Sequence, residues 1–196
     1  MGRIWLSSPD SSILLSIILR PEVSQLPQLN MVAGLATIHS IEKATGLKPV
    51  LKWPNDVLLN GKKVCGILME NLFERGELKA AIVGLGLNVR LDTTRFAAIS
   101  ATATSLSQEL GEEISPWEIL PFLLKELEKS YQELRQDGGS VTIYEKWLAR
   151  VETLGKAVRV KSGDSVEEGY AESIDIDGSI MLRRSDGSLI RVVTGE

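Results

Sequence analysis

The sequence predicts an α+β fold, a mixed β-sheet with helices packed on one side, followed by a small β-barrel. Three observations carry that prediction. An isoleucine-rich apolar run leads into a stretch of helical period between Ser11 and Lys43, and an Asn60-Gly61 turn separates two further apolar runs. After Trp147 the texture changes to short alternating runs broken by tight turns. A chain of 196 residues is long enough for one mid-sized domain plus a small module.

The elements follow in chain order. Ser11 to Arg20, "SSILLSIILR", is closed by Pro21 and reads as a buried strand. Leu26 to Lys43 places Leu26, Leu29, Val32, Ala33, Ala36 and Ile41 near helical spacing, and Gly46 stops the helix. Val57 to Leu59 and Val64 to Leu72 flank Asn60-Gly61, the turn chemistry of a primed hairpin. Leu78 to Val89 is another strand and ends in "VGLGLNV". Two helices follow. The first begins at Ser115, with Pro116 in its first turn and Glu118 completing a capping box, runs to about Gln136 and breaks at Gly138-Gly139. From Gly155 the runs "AVRV", "VEEGYAESIDI", "SIMLRR" and "SLIRVV", punctuated by Asp177-Gly178 and Asp186-Gly187, predict short strands on tight turns, with a domain boundary between Glu152 and Thr153.

Composition narrows the function classes. Forty-three per cent apolar and 24 per cent charged residues are ordinary globular values, and a net charge of -4 argues against a broad nucleic-acid face. Cys65 is the single cysteine, which removes an intrachain disulfide and suits a reducing, cytoplasmic setting. With His39 the single histidine, a zinc site or a Ser-His-Asp triad has little support, and both His39 and Cys65 are assigned to the core. The apolar run Ile13 to Leu19 is far short of the roughly 20 residues a membrane helix needs, so no membrane association is expected.

Chemistry concentrates in "LKWPNDVLLNGKKVCGIL", Leu51 to Leu68. Lysines are compact cations suited to phosphate or carboxylate, and an Asn-Asp pair offers oxygen ligands for magnesium or a ribose, so Lys52, Asn55, Asp56 and Lys63 form a nucleotide-like constellation. A hairpin at Asn60-Gly61 carries Lys63 back toward the strand holding Lys52. By spacing alone, Lys62 and Lys63 read first as a solvated turn with a cross-strand charge partner and Trp53 as packing. Gly84 and Gly86, in "GLGLN", let a ligand approach bare backbone or mark a β-bulge. Val89 stands where a dinucleotide fingerprint needs its third glycine, so the Rossmann reading fails.

In order, "KWPNDV", "KKVCGIL" and "VGLGLNV" resemble the catalytic domain of biotin protein ligases, and "GYAESIDIDGSIML" with "GSLIRVVTGE" resembles their SH3-like C-terminal domain. The resemblance spans essentially the whole chain. It implies the class II aminoacyl-tRNA synthetase/biotin ligase-like sheet for residues 1–152 and an SH3-like barrel for 153–196. It also implies ATP-dependent conversion of biotin to biotinyl-5'-adenylate, then transfer to a lysine of a biotin carboxyl carrier protein domain. Biotin, ATP and magnesium are the implied small molecules, with the carrier domain and a second copy of the chain as partners.

Carried over residue by residue, the resemblance makes Lys63 the catalytic lysine, at the biotin carboxylate and α-phosphate. It assigns Gly66, Gly84, Gly86 and Arg3 to biotin, and Lys52, Trp53, Asn55, Asp56 and Asn88 to the nucleotide, with Asn55 and Asp56 as magnesium ligands. Family members carry a GRGR loop of which "MGRIW" supplies only the tail, Gly2 and Arg3. The expectation is therefore that Met1 is an internal methionine of a longer ligase, that the loop enclosing the adenylate is mostly missing, and that the stop at Gly195-Glu196 falls a few residues early. A lipoate protein ligase relative and a non-catalytic fragment active only in binding or assembly are the alternatives.

Overall fold

The computed structural model describes residues 5–163 and 165–195. A five-stranded sheet is formed by β1 (Ser12–Leu19), β2 (Val50–Lys52), β3 (Asp56–Leu59), β4 (Lys62–Glu74) and β5 (Glu77–Asn88), in the order β1-β5-β4-β3-β2. Every pairing between neighbouring strands is antiparallel. Among the described residues, parallel pairing is confined to two isolated bridges, Leu51 with Val151 and Lys63 with Ala103.

Four helices, α1 (Leu26–Thr45), α2 (Leu106–Leu110), α3 (Pro116–Leu134) and α4 (Gly139–Leu148), accompany this sheet. α1 lies between the sheet and the pair α3 and α4, so it is covered on nearly every side. Leu29, Ala33, Ala36, Ile38 and Ile41 have no exposed surface. A helix buried all round needs no polar stripe, which is why its apolar residues are spread over the helix rather than confined to one face. Gly34 lets α1 approach β2, since a Cβ there would lie 2.9 Å from Leu51 Cδ2. α1 ends where Gly46 adopts φ +73°.

Local signals place the remaining boundaries. Asn60 and Gly61 both have positive φ, 49° and 77°, as a primed two-residue hairpin requires. Arg75 and Gly76 repeat that conformation between β4 and β5, at a turn whose first residue carries no turn propensity. Ser115 and Glu118 form the reciprocal capping box of α3, with Ser115 N–H donating to Glu118 Oε1 at 2.8 Å. The short α2 went unread in the sequence because one and a half turns show no period.

A second sheet follows, in which β6 (Ala157–Ser162), β7 (Ser165–Ile174), β8 (Ile180–Arg183) and β9 (Leu189–Val192) pair in chain order. Val160, Ala171, Ile174, Ile180, Leu182 and Val192 form its buried side. Its tail returns to β6, as a Cβ on Gly195 would meet Val160 Cγ1 at 2.3 Å. The two Asp-Gly-Ser turns are built alike. Asp177 Oδ1 accepts from Ser179 N at 3.0 Å and Oγ at 2.6 Å, and Asp186 Oδ1 accepts from Ser188 N at 2.9 Å and Oγ at 2.6 Å.

The two sheets are joined through carbonyls at the end of β7 and in the β7–β8 loop. Tyr144 Oη donates to Ile174 O at 2.6 Å, Gln28 Nε2 to Ile176 O at 2.7 Å and Trp53 Nε1 to Gly178 O at 2.8 Å. Among the described residues, no helix is long and apolar enough to cross a membrane.

Candidate active site

Cross-strand register assembles the site. Lys52 pairs with Asp56, Asp56 with Gly66, Gly66 with Gly86, and Gly86 with Leu14, so one transverse row crosses all five strands. A second row joins Leu68, Gly84 and Ser16. Directly opposed residues project from the same side of a sheet. That side faces away from α1, because the alternate residues Val57, Cys65, Ile67, Val83, Leu85 and Leu87 belong to the buried core. Between Val57 and Leu58 the register slips by a bulge, so that Val57 opposes Cys65 while Leu58 opposes Lys63. The bulge places Lys63 and Gly66 on the same face despite their odd spacing.

A cleft of about 440 Å³ opens on this face, bordered by Trp5, Lys52, Asp56, Lys63, Asn88 and Thr102. Its far wall is the segment Ile99 to Ala103, locked to β4 by Lys63 N–H donating to Thr102 O at 2.8 Å and Thr104 N–H donating to Lys63 O at 2.9 Å. Lys63 Nζ stands 2.5 Å from Asp56 Oδ1, an ion contact in which that oxygen accepts no aligned hydrogen bond. The lysine retains 35% of its side-chain exposure, so its charge remains available to a ligand in the cleft.

Asn88 is 3% exposed, donates from Nδ2 to Thr104 O at 3.0 Å, and has an Oδ1 without a partner among the described residues. A buried acceptor left open beside a cleft is a place for a ligand donor.

The three glycines differ. A Cβ on Gly86 would lie 2.6 Å from Trp5 Cε2, and one on Gly66 would lie 2.9 Å from both Trp5 Cζ3 and Lys63 Cε. On Gly84 it would meet nothing closer than Leu68 Cβ at 3.6 Å. Gly66 and Gly86 thus form a notch filled by Trp5 and the lysine stem, whereas Gly84 is open floor.

Of the sequence-predicted residues, Lys52, Asp56, Lys63, Gly66, Gly84, Gly86 and Asn88 come together on this face. Trp53 does not join them. It is 4% exposed in the core, with its N–H donating to Thr153 Oγ1 at 2.9 Å and its indole bonded to Gly178 O. It stands in the turn that follows β2, and that turn carries it away from its neighbour Lys52. Asn55 also leaves the cleft, donating from Nδ2 to Ile67 O at 2.6 Å and bordering a separate groove with Asn30, Met69 and Gly178. Arg3 lies outside the described residues.

Cys65 is wholly buried, and burial pushes its thiol pKa up to about 12, which makes it an inert core residue. His39 is not core but half-buried, 3.8 Å from the Glu126 carboxylate on α3. Trp5 and the Thr102–Thr104 wall went unassigned in the sequence, since nothing in their spacing links them to β4.

The sequence profile of the biotin/lipoate A/B protein ligase family matches residues 1–88. The chain is 34% identical over 190 residues to the bifunctional ligase/repressor BirA of Bacillus subtilis, covering 95% of this chain and 58% of that protein's length. To the biotin--[acetyl-CoA-carboxylase] ligase of Paracoccus denitrificans it is 34% identical over 193 residues, covering 95% of this chain and 79% of the relative. The fold superposes on the biotin protein ligase of Aquifex aeolicus in complex with biotin and ATP with a TM-score of 0.84 and 28% identity, covering 100% of this chain and 80% of that one. With the glycine rows, the paired lysine and the two sheets in place, these likenesses show that the chain belongs to the biotin protein ligases of the biotin/lipoate A/B protein ligase family.

Proposed function

We propose that this chain carries the biotin-activating centre of a biotin protein ligase. In the first step a biotin carboxylate oxygen attacks the α-phosphorus of ATP, the new P–O bond forming as the bond to pyrophosphate breaks. In the second, the amine of a carrier-domain lysine attacks the adenylate's carbonyl carbon, an amide bond forms, AMP departs and the amine's proton goes to solvent. The observation that carries this reading is the placement of Lys63 beside Asp56, on the rigid end of β4, at the edge of a glycine-floored face.

Bringing a carboxylate to a phosphate opposes two anions, so the centre needs a fixed cation more than an enzyme nucleophile. Lys63 supplies it. Asp56 holds the ammonium from one side, which preorganises the charge before substrates arrive. Gly84 offers backbone on which a flat ureido ring can lie, while Leu14 and Leu68, both 62% exposed, stand on either side as apolar walls. Lys52 and the open Oδ1 of Asn88 serve the nucleotide end.

Magnesium would accompany the ATP phosphates, with Asp56 as the one carboxylate of this wall. Asn55 does not fit as its companion, because its side chain is committed to Ile67 O and borders the other groove. Trp53 acts as a joint between the two sheets rather than as a nucleotide contact. The division at Glu152 and Thr153, a carrier domain as acceptor, a second copy as partner and a cytoplasmic setting accompany this reading.

Pyrophosphate release from biotin and ATP tests it. The expected result is biotin-dependent release that Lys63→Ala lowers by about 10²- to 10³-fold, the usual loss for one preorganised charge donor. Release dependent on lipoate instead would assign the site to the other branch of the family, and no release with either acid would leave a binding fragment.

A further inference from the structure

We infer that Trp5 is the positioning residue for Lys63, and that the Gly66–Gly86 notch exists to seat its indole rather than a ligand ring. The catalytic part of this inference rests on the function proposed above. Lys63 Nζ lies 5.8 Å from the centroid of the Trp5 ring, within cation–π range. The Asp56 carboxylate holds the same ammonium, its Oδ1 2.5 Å from Nζ. Beneath both is Gly66, over which the lysine stem lies so flat that a Cβ would be 2.9 Å from Cε and 3.1 Å from Nζ. The ammonium is therefore held between a carboxylate, an aromatic face and bare backbone.

The neighbouring Gly86 serves the same arrangement. Three atoms of the indole, Cε2, Cζ2 and Cδ2, come within 2.9 Å of where its Cβ would be, so any side chain there expels the ring. Gly84, two residues away on the same face, has no such neighbour. A glycine pair required only for a substrate ring would not distinguish these positions in favour of Trp5. The indole separates the floor at Gly84 from the polar cleft that holds Lys52 and Asn88, and the ammonium it steers lies at that border, where a carboxylate from one side meets a phosphate from the other.

The test is a double-mutant cycle on pyrophosphate release at saturating biotin and ATP, with Trp5→Leu, Lys63→Ala and the combination. Trp5→Leu is expected to lower kcat about tenfold, equivalent to about 1.4 kcal/mol for a partly desolvated cation–π contact, with the KM for biotin little changed. Trp5→Phe should restore most of the loss, and Trp5→Leu should cost nothing further in the Lys63→Ala background. An equal loss with and without Lys63 would overturn the inference, because the indole would then act on the substrate itself.

A readout free of activity accompanies it. After reductive ¹³C-methylation, the Lys63 signal, identified by its absence in Lys63→Ala, should show an upfield ring-current shift that disappears in Trp5→Leu and in Gly86→Ala. A Lys63 signal unmoved by both variants would also overturn it. A chain that releases no pyrophosphate would defeat the proposed function alone, and the methyl shift would still decide whether the indole holds the ammonium.

Discussion

The two faces of the five-stranded sheet share the same strands and alternate residue by residue, yet they differ in almost everything else. Toward α1 the strands present Ile13, Val57, Ile67, Val83, Leu85 and Leu87, each 7% exposed or less. Toward the cleft they present Leu14, Ser16, Asp56, Gly66, Leu68, Gly84 and Gly86. One face is filled by side chains that exclude water, and the other is a relief of missing side chains with two lysines at its margin. The pleat makes this separation cheap in residues, because a one-residue step moves a group from core to site. Cys65 and Gly66 show it at adjacent positions of β4, one wholly buried in the core and the other on the cleft face.

The contrast breaks most visibly under truncation of core side chains. Leu85→Ala should lose about 2–5 kcal/mol of unfolding free energy, whereas Leu68→Ala on the open face should stay within about 0.5 kcal/mol, both read from denaturant midpoints. Comparable losses would mean that the open face is packed after all. Trp53→Phe keeps the ring but removes the indole N–H bond to Gly178 O, so a loss of about 1 kcal/mol is expected, with pyrophosphate release retained by the folded fraction. A kinetic defect without a stability defect would return Trp53 to the nucleotide.

Gly84→Ala sharpens the comparison within the open face. The added methyl meets only Leu68, so the melting temperature should hold while the biotin Kd measured by calorimetry rises. Unchanged affinity would move the ureido ring elsewhere.

The smallest effect concerns the helical layer behind the core. Burial of Glu126 opposes its charge, but the hydrogen bond and charge of Lys43, 2.5 Å away, prevail and hold its pKa below the ordinary glutamate value. Lys129 and His39 add to that pull. A depressed folded pKa means that its stabilisation is present above the unfolded value and is lost as pH falls through the folded one. Glu126→Gln should therefore flatten part of the acid limb of the stability curve and leave neutral-pH adenylation unchanged. An acid limb identical to the wild type would remove Glu126 from that account.

Much of the architecture was legible because it rests on short-range chemistry. Asn60-Gly61 admits positive φ at both positions, Ser115 and Glu118 cap each other across one turn, and Gly46 ends α1 in the left-handed conformation. The Arg75-Gly76 turn escaped notice because arginine adopts its positive φ only under the constraint of the long β4–β5 pairing. His39 was misplaced for a related reason. A lone histidine on a largely apolar helix reads as core, but its partner, Glu126, arrives from α3, 87 positions along the chain.

The motif residues could be named in order from the chain, but their roles could not. Lys52, Trp53, Asn55 and Asp56 are nearly contiguous, and contiguity suggested one site. Alternation and the turn divided them, sending Lys52 and Asp56 to the cleft, Trp53 to the second sheet and Asn55 to Ile67 O. Residue types and their local turns, caps and periods determined which elements form and which groups have the charge to meet a carboxylate or a phosphate. The pairing of Gly66 with Gly86, the bulge that puts Lys63 on the same face as Asp56, and the seating of Trp5 over both glycines were decided only by tertiary structure. Those contacts join residues from distant strands, and cross-strand register is set by packing of the whole sheet against α1 rather than by any stretch of sequence that can be read alone.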